Sequence, residues 1–91
     1  MGRYWVYILR CSDGSLYTGS TNSVERRLSE HNSGRGSKYT RSRLPVVLCY
    51  LEKSRDRSGA LRRETEIKKL SRSQKLLLCA SSQARELHSY R

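Results

Sequence analysis

Residues 3–11, RYWVYILRC, run into Asp13-Gly14 and then into LYTGST at 16–21, and these two strand-forming runs across a turn dipeptide constrain the fold more than anything else in the chain. Aromatic and β-branched side chains fit a pleated, half-buried surface and Asp-Gly supplies the turn, so the segment predicts a β-hairpin. PVVLCYLEK, residues 45–53, predicts a third strand, with Pro45 at its mouth where a missing N–H is tolerated. A chain of 91 residues encloses a single modest core. One domain is expected over residues 1–80, with a polar tail over 81–91.

In NSVERRLSEHNSG, Asn22 is the expected N-cap, Glu25 its capping-box partner and Gly34 the stop, which predicts a short helix over about 23–32. A second helix is predicted from Asp56 or Ser58 through GALRRETEIKKL, and a third from SRSQKLLLC, where Ser71 and Gln74 repeat the capping-box spacing. Residues 33–43, SGRGSKYTRSR, are rich in glycine, serine and cations and read as a mobile loop. Together the elements predict an α+β domain with helices packed on a small antiparallel sheet.

Lysine and arginine total 19 against 8 acidic residues, a formal charge of +11. Such an excess sets up a positive field that attracts polyanions, and nucleic acid is the leading partner. A membrane surface fits less well, because the cations are spread through folded-looking segments with no opposing face of Trp, Phe and Leu. No apolar run is long enough to span a bilayer, and the first residues lack the basic, apolar, small-residue order of a secretion signal, so a cytoplasmic protein is expected. Cys11, Cys49 and Cys79 are odd in number, widely spaced and flanked by leucines, which predicts buried, reduced thiols rather than a metal site.

On the second helix Ala60, Leu61 and Ile67 define the apolar arc, with Glu64 in its middle and Glu66 on the opposite side. A carboxylate on a buried stripe is costly unless it is paired or holds a cation. Glu64 is therefore a site candidate; the competing reading is an ion pair with Lys68 in the favourable i, i+4 order. On the first helix Arg27 and His31 share a face beside Val24 and Leu28. Their competing readings are a surface cation and a solvent-exposed helix-end residue suited to the C-terminal dipole. Arg26 is the comparison, a cation expected to be surface charge only. Tyr4, Tyr7, Tyr17, Tyr39 and Tyr50 are expected first as packing residues, since the chain has no phenylalanine. Residue types and spacing alone lead to a basic α+β domain that binds nucleic acid.

WVY at 5–7, YTG at 17–19, ERRLSEH at 25–31 and the glutamate within ALRRETEIKKL at 60–70 resemble, in order, the motifs of the GIY-YIG nuclease superfamily, closest to its small single-domain bacterial branch. The likeness covers about residues 4–78. It implies that Tyr7 and Tyr17 are the tripeptide tyrosines, Arg27 the motif arginine, His31 the position one helical turn later and Glu64 the metal ligand. The implied fold is α+β, a three-stranded antiparallel sheet flanked by about three helices. Trp5, Val6 and Thr18 stand where the tripeptides have a glycine and two isoleucines. The late asparagine of many members has no counterpart, the chain's asparagines being Asn22 and Asn32.

The implied reaction is metal-dependent hydrolysis of phosphodiester bonds in DNA, with branched or damaged forms among the candidate substrates. One Mg²⁺ or Mn²⁺ ion on Glu64 would stabilise the leaving oxygen, Arg27 would neutralise phosphoryl charge and Tyr17 would be the general base, with Tyr7 and His31 orienting the water or passing on its proton. Tyr7 and Tyr17 share a face only if the hairpin closes through the three-residue loop Ser12-Asp13-Gly14, with Gly14 left-handed and Cys11 opposite Ser15. A two-residue Asp13-Gly14 turn would separate them, so the longer loop is expected. Lys38, Tyr39, Arg41, Arg43, Arg62, Arg63, Lys68 and Lys69 are expected to track the phosphate backbone, Tyr39 by stacking on a base. The alternatives are a catalytically weak DNA- or RNA-binding module of the same fold, and a basic structural protein of a ribonucleoprotein.

Overall fold

The computed structural model describes residues 3–81, so residues 82–91 of the expected tail lie outside the described residues. Strands β1 (Tyr4–Arg10), β2 (Leu16–Thr21) and β3 (Val47–Ser54) form one antiparallel sheet in the order β2-β1-β3. The helices are α1 (Val24–Asn32), α2 (Lys38–Arg41), α3 (Arg57–Lys68) and α4 (Arg72–Ser81). This is the expected α+β sheet, with one short helix more than the sequence predicts.

The hairpin closes through the three-residue loop. Gly14 has φ 84°, Cys11 N–H donates to Ser15 O at 2.9 Å, and the register continues as Arg10 opposite Leu16 and Leu9 opposite Tyr17. Asp13 holds the turn by accepting from both the N–H and the hydroxyl of Ser15. β3 starts at Val47, later than expected, because the Asn32 side chain takes both backbone groups of Val46, at 2.8 and 3.1 Å, before the ladder begins.

The cap of α1 is Ser23 rather than Asn22. Thr21 Oγ1 accepts the Ser23 N–H at 3.0 Å and the backbone there is extended, so it is the Ser23 hydroxyl that meets the Arg26 N–H, while Asn22 Oδ1 accepts from the Arg26 guanidinium. Gly34, with φ 84°, ends the helix as expected. The segment read as a mobile loop is ordered into α2, where Ser37 accepts the Thr40 N–H at 3.1 Å and Thr40 is fully buried. Asp56 caps α3, and Ser71 and Gln74 form the predicted reciprocal cap of α4.

Alternation along β1 divides the core in two. Tyr7, Leu9 and Cys11 pack with Val24, Val46 and Leu51 on one face, and Val6, Ile8 and Tyr50 pack with Ala60 and Ile67 on the other. Thus α1 and α3 cover opposite faces. Leu61, expected on the buried arc, is 44% exposed, because α3 meets the sheet along the line through Ala60 and Ile67 and position 61 is turned about 100° from Ala60. All three cysteines are free thiols, but only Cys11 is buried; Cys49 and Cys79 are half-buried beside the second cluster.

Candidate active site

The loop geometry puts Tyr7 and Tyr17 on one face, their ring centroids 6.5 Å apart. Tyr7 pairs across the strands with Gly19, and a Cβ at Gly19 would lie 2.5 Å from the Tyr7 hydroxyl oxygen. Only glycine lets the phenol lie across β2, so its tip reaches the open edge of the sheet. The last position of the YTG tripeptide thus serves the last position of WVY.

His31 is fully buried, not solvent-exposed, with Nε2 3.0 Å from the Tyr7 hydroxyl and Nδ1 2.8 Å from Thr40 Oγ1. Gly36 covers the ring so closely that any Cβ there would overlap Nδ1 and Cγ. Burial, assisted by the Arg27 charge, lowers the imidazole to about 4, and burial raises the Tyr7 phenol to about 12 against the pull of Arg27. At neutral pH both rings are uncharged. Tyr17 completes the cluster, its ring 5.2 Å from that of His31.

Arg27 is held in place: Nη1 donates to Glu30 Oε1 and Nη2 to Gly36 O, each at 2.9 Å. Hydrogen bonding to Glu30 raises the guanidinium further above its usual value. Two of its five N–H groups are spent on these bonds and the Tyr7 hydroxyl is a further neighbour, which leaves part of the guanidinium, 30% exposed, for an anion. Arg26 behaves as expected of plain surface charge, 62% exposed beside Glu30.

Glu64 comes to the same strand from the opposite face. Its side chain is 17% exposed, with Oε1 accepting from Ser20 Oγ at 2.7 Å and Oε2 paired to Lys68 Nζ at 2.7 Å. Glu66, 66% exposed, pairs with Arg63 instead. The ion pair considered for Glu64 therefore exists, and the other oxygen of the same carboxylate is bonded to Ser20 of β2. Its charge reaches Tyr7, adding to the rise of that phenol, and its proximity raises the Lys68 ammonium. Among the described residues no three His, Cys, Asp or Glu side chains converge, so a cation ligated wholly by the protein is not built. One carboxylate backed by a hydroxyl suits a hard ion that keeps most of its water, such as Mg²⁺ or Mn²⁺, which would have to displace Lys68 Nζ, 54% exposed, from Oε2.

The eight residues expected to follow a phosphate backbone divide into two groups. Arg43 donates to Asp13 Oδ2 at 3.0 Å and to Tyr39 O at 2.7 Å while its guanidinium lies 3.9 Å from the Tyr39 ring centre. Tyr39 also stacks on Tyr17 at 6.0 Å, while the residue stays 38% exposed. Arg63 joins Glu52 and Glu66, and Lys68 is on Glu64. Lys38, Arg41, Arg62 and Lys69 are exposed and have no protein partner among the described residues. Neither asparagine is spare: Asn22 holds Arg26 and Asn32 holds Val46. Ser20, Gly36 and Thr40 are contributors that sequence reasoning missed; a glycine or hydroxyl carries no periodic signal, and the adjacency of Ser20 to the tripeptide was the only available hint.

The family model described as the GIY-YIG catalytic domain matches residues 3–76. A UPF0213 protein of Staphylococcus haemolyticus is 55% identical over 76 residues, 84% of this chain and 93% of that protein. One from Syntrophus aciditrophicus is 57% identical over 79 residues, 86% of this chain and 91% of its own. Among solved structures, the solution NMR structure of a UPF0213 protein from Bacillus halodurans matches with TM-score 0.57 at 42% identity, covering 96% of this chain and 94% of that one. With the tyrosine pair, Arg27, His31 and Glu64 in their expected order along this fold, the chain belongs to the GIY-YIG nuclease family, among its small UPF0213 members.

Proposed function

We propose that the protein is a divalent-metal-dependent endonuclease that hydrolyses phosphodiester bonds in DNA. The observation that carries this reading is the open edge of β2, where consecutive residues receive the Tyr7 phenol on one face, at Gly19, and the Glu64 carboxylate on the other, at Ser20. A phosphate at that edge meets both, with the Arg27 fork on the Tyr7 side.

Glu64 would hold Mg²⁺ or Mn²⁺, which when bound would supply positive charge to stabilise the leaving oxygen. Ser20 fixes the carboxylate by its hydrogen bond. Arg27 neutralises charge growing on the phosphoryl oxygens, and its bonds to Glu30 and Gly36 mean that little ordering is left to do on binding. Tyr17, its own hydroxyl proton first released to solvent, takes the proton of the attacking water as the phenolate. Tyr7, with its raised phenol, stays protonated and acts with His31 in orienting that water. Lys38, Arg41, Arg62 and Lys69 steer the strand by charge.

A second reading, a catalytically weak DNA- or RNA-binding module, draws on one observation: Lys68 occupies the Glu64 oxygen that a cation would need. Incubation of supercoiled and branched DNA with the protein in Mg²⁺ and in Mn²⁺ separates the two. The nuclease reading expects nicking that stops on chelation; salt-sensitive binding with no cleavage in either metal selects the binding module.

A further inference from the structure

Residues 33–43 do more than connect α1 to β3. Gly36 lies over the imidazole and gives its carbonyl to Arg27, and four residues later Thr40, fully buried, meets His31 Nδ1 at 2.8 Å. The segment is the back wall for two site residues at once.

The hydrogen-bond inventory decides where the proton of the neutral His31 ring resides. The Tyr7 hydroxyl has two neighbours able to bond it: His31 Nε2, and the Arg27 guanidinium, which can only donate. Tyr7 is 3% exposed, so among the described residues the acceptor for its proton is Nε2. Nε2 must then be bare, Nδ1 must carry the ring proton, and Thr40 Oγ1 must accept it. Acid strength points the same way, since a phenol is a better donor and a poorer acceptor than an aliphatic hydroxyl. The chain also ends well: Thr40 passes its own proton to Ser37, whose hydroxyl oxygen is 3.0 Å away and whose carbonyl is 3.4 Å away. In the opposite tautomer the buried phenol proton has no acceptor among the described residues.

We infer that Thr40 is a positioning residue: by accepting Nδ1–H it fixes the His31 tautomer whose bare Nε2 takes the Tyr7 hydrogen bond. The Tyr7 oxygen lone pairs are then left for the Arg27 guanidinium, and a phenol already donating to imidazole is the stronger acceptor for that donor. The consequence for rate rests on the nuclease reading; the tautomer does not.

The test is ¹⁵N NMR of the ring nitrogens, in protein bearing His88→Gln so that His31 is the sole histidine. The protonated and bare nitrogens resonate far apart. The parent and Thr40→Ser are expected to have a protonated Nδ1 and a bare Nε2. Thr40→Val keeps the shape but offers no acceptor, so the Nε2–H form should grow, and cleavage should fall by about 10- to 100-fold, the range for groups that orient a reacting ring from behind. A bare Nδ1 in the parent overturns the inference, and so does Thr40→Val with unchanged shifts. If Thr40→Val does not fold, the parent and Thr40→Ser spectra decide. Absence of cleavage in the parent would remove the nuclease reading, while the spectra would still decide the role of Thr40.

Discussion

His31 carries a pH dependence that its place at a helix end conceals. Its folded-state value, about 4, lies below the ordinary 6.5, so the unfolded chain takes up the proton first. Its contribution to stability is complete above 6.5 and is lost as pH falls toward 4. Between neutral pH and ~5 this amounts to about 2 kcal/mol. Urea denaturation at both pH values should register that loss in the parent, and His31→Phe should flatten it; equal slopes in the two proteins would contradict the assignment. Thr18 makes an opposite case. Its buried hydroxyl has no partner among the described residues, at a position where the family resemblance puts isoleucine. Thr18→Val should therefore raise the melting temperature, by the equivalent of about 1 kcal/mol, and a fall would mean that the hydroxyl is bonded after all. Neither environment was legible in the sequence, because burial of His31 is imposed by Gly36 and Thr40 from another segment, and the orphaned hydroxyl depends on which way β2 faces α3.

Most elements whose signals are local were read correctly, the exception being the α1 cap, which is Ser23 rather than Asn22 with Glu25 as its partner. Asp13-Gly14, the Ser71/Gln74 cap and Gly34 act within a few residues, and the hairpin register followed from requiring Tyr7 and Tyr17 to share a face. α2 escaped notice because a four-residue helix has no periodicity and its flanks look like linker; what orders it is the burial of Thr40 against His31. On α3, Glu64 was expected mid-arc among Ala60, Leu61 and Ile67; its side chain is 17% exposed beside the Ala60–Ile67 line, while Leu61 was counted into an arc wider than the sheet can cover. The same helix makes a testable competition, since Lys68 lies one turn after Glu64 and neutralises Oε2. Lys68→Met should bind Mn²⁺ more tightly, by a few-fold given the modest worth of a partly exposed pair, as followed by the paramagnetic resonance of the free ion. Weaker binding in that variant would make Lys68 a helper of the site rather than a placeholder.

Across the whole molecule, the charge of +11 sets up a field that attracts polyanions, but composition does not say which cations are spent internally. The structure commits Arg43, Arg63 and Lys68 to carboxylates and leaves Lys38, Arg41, Arg62 and Lys69 exposed. In DNA-binding titrations over a range of salt, Lys38→Ala or Arg62→Ala should each lower the slope of log affinity against log salt by about 1. Arg63→Ala should leave the slope and lower stability instead; a slope change as large as that of Arg62→Ala would mean that its ion pairs open on binding. The molecule's central claim is that two faces of one strand edge make one site, and a pair of neighbouring carboxylates tests it most directly. Cleavage of supercoiled DNA in Mg²⁺ should vanish with Glu64→Ala and persist with Glu66→Ala, which differ in position by two residues and in environment by a buried hydroxyl contact against an exposed ion pair. Equal activity in the two variants, or loss in both, would contradict the account.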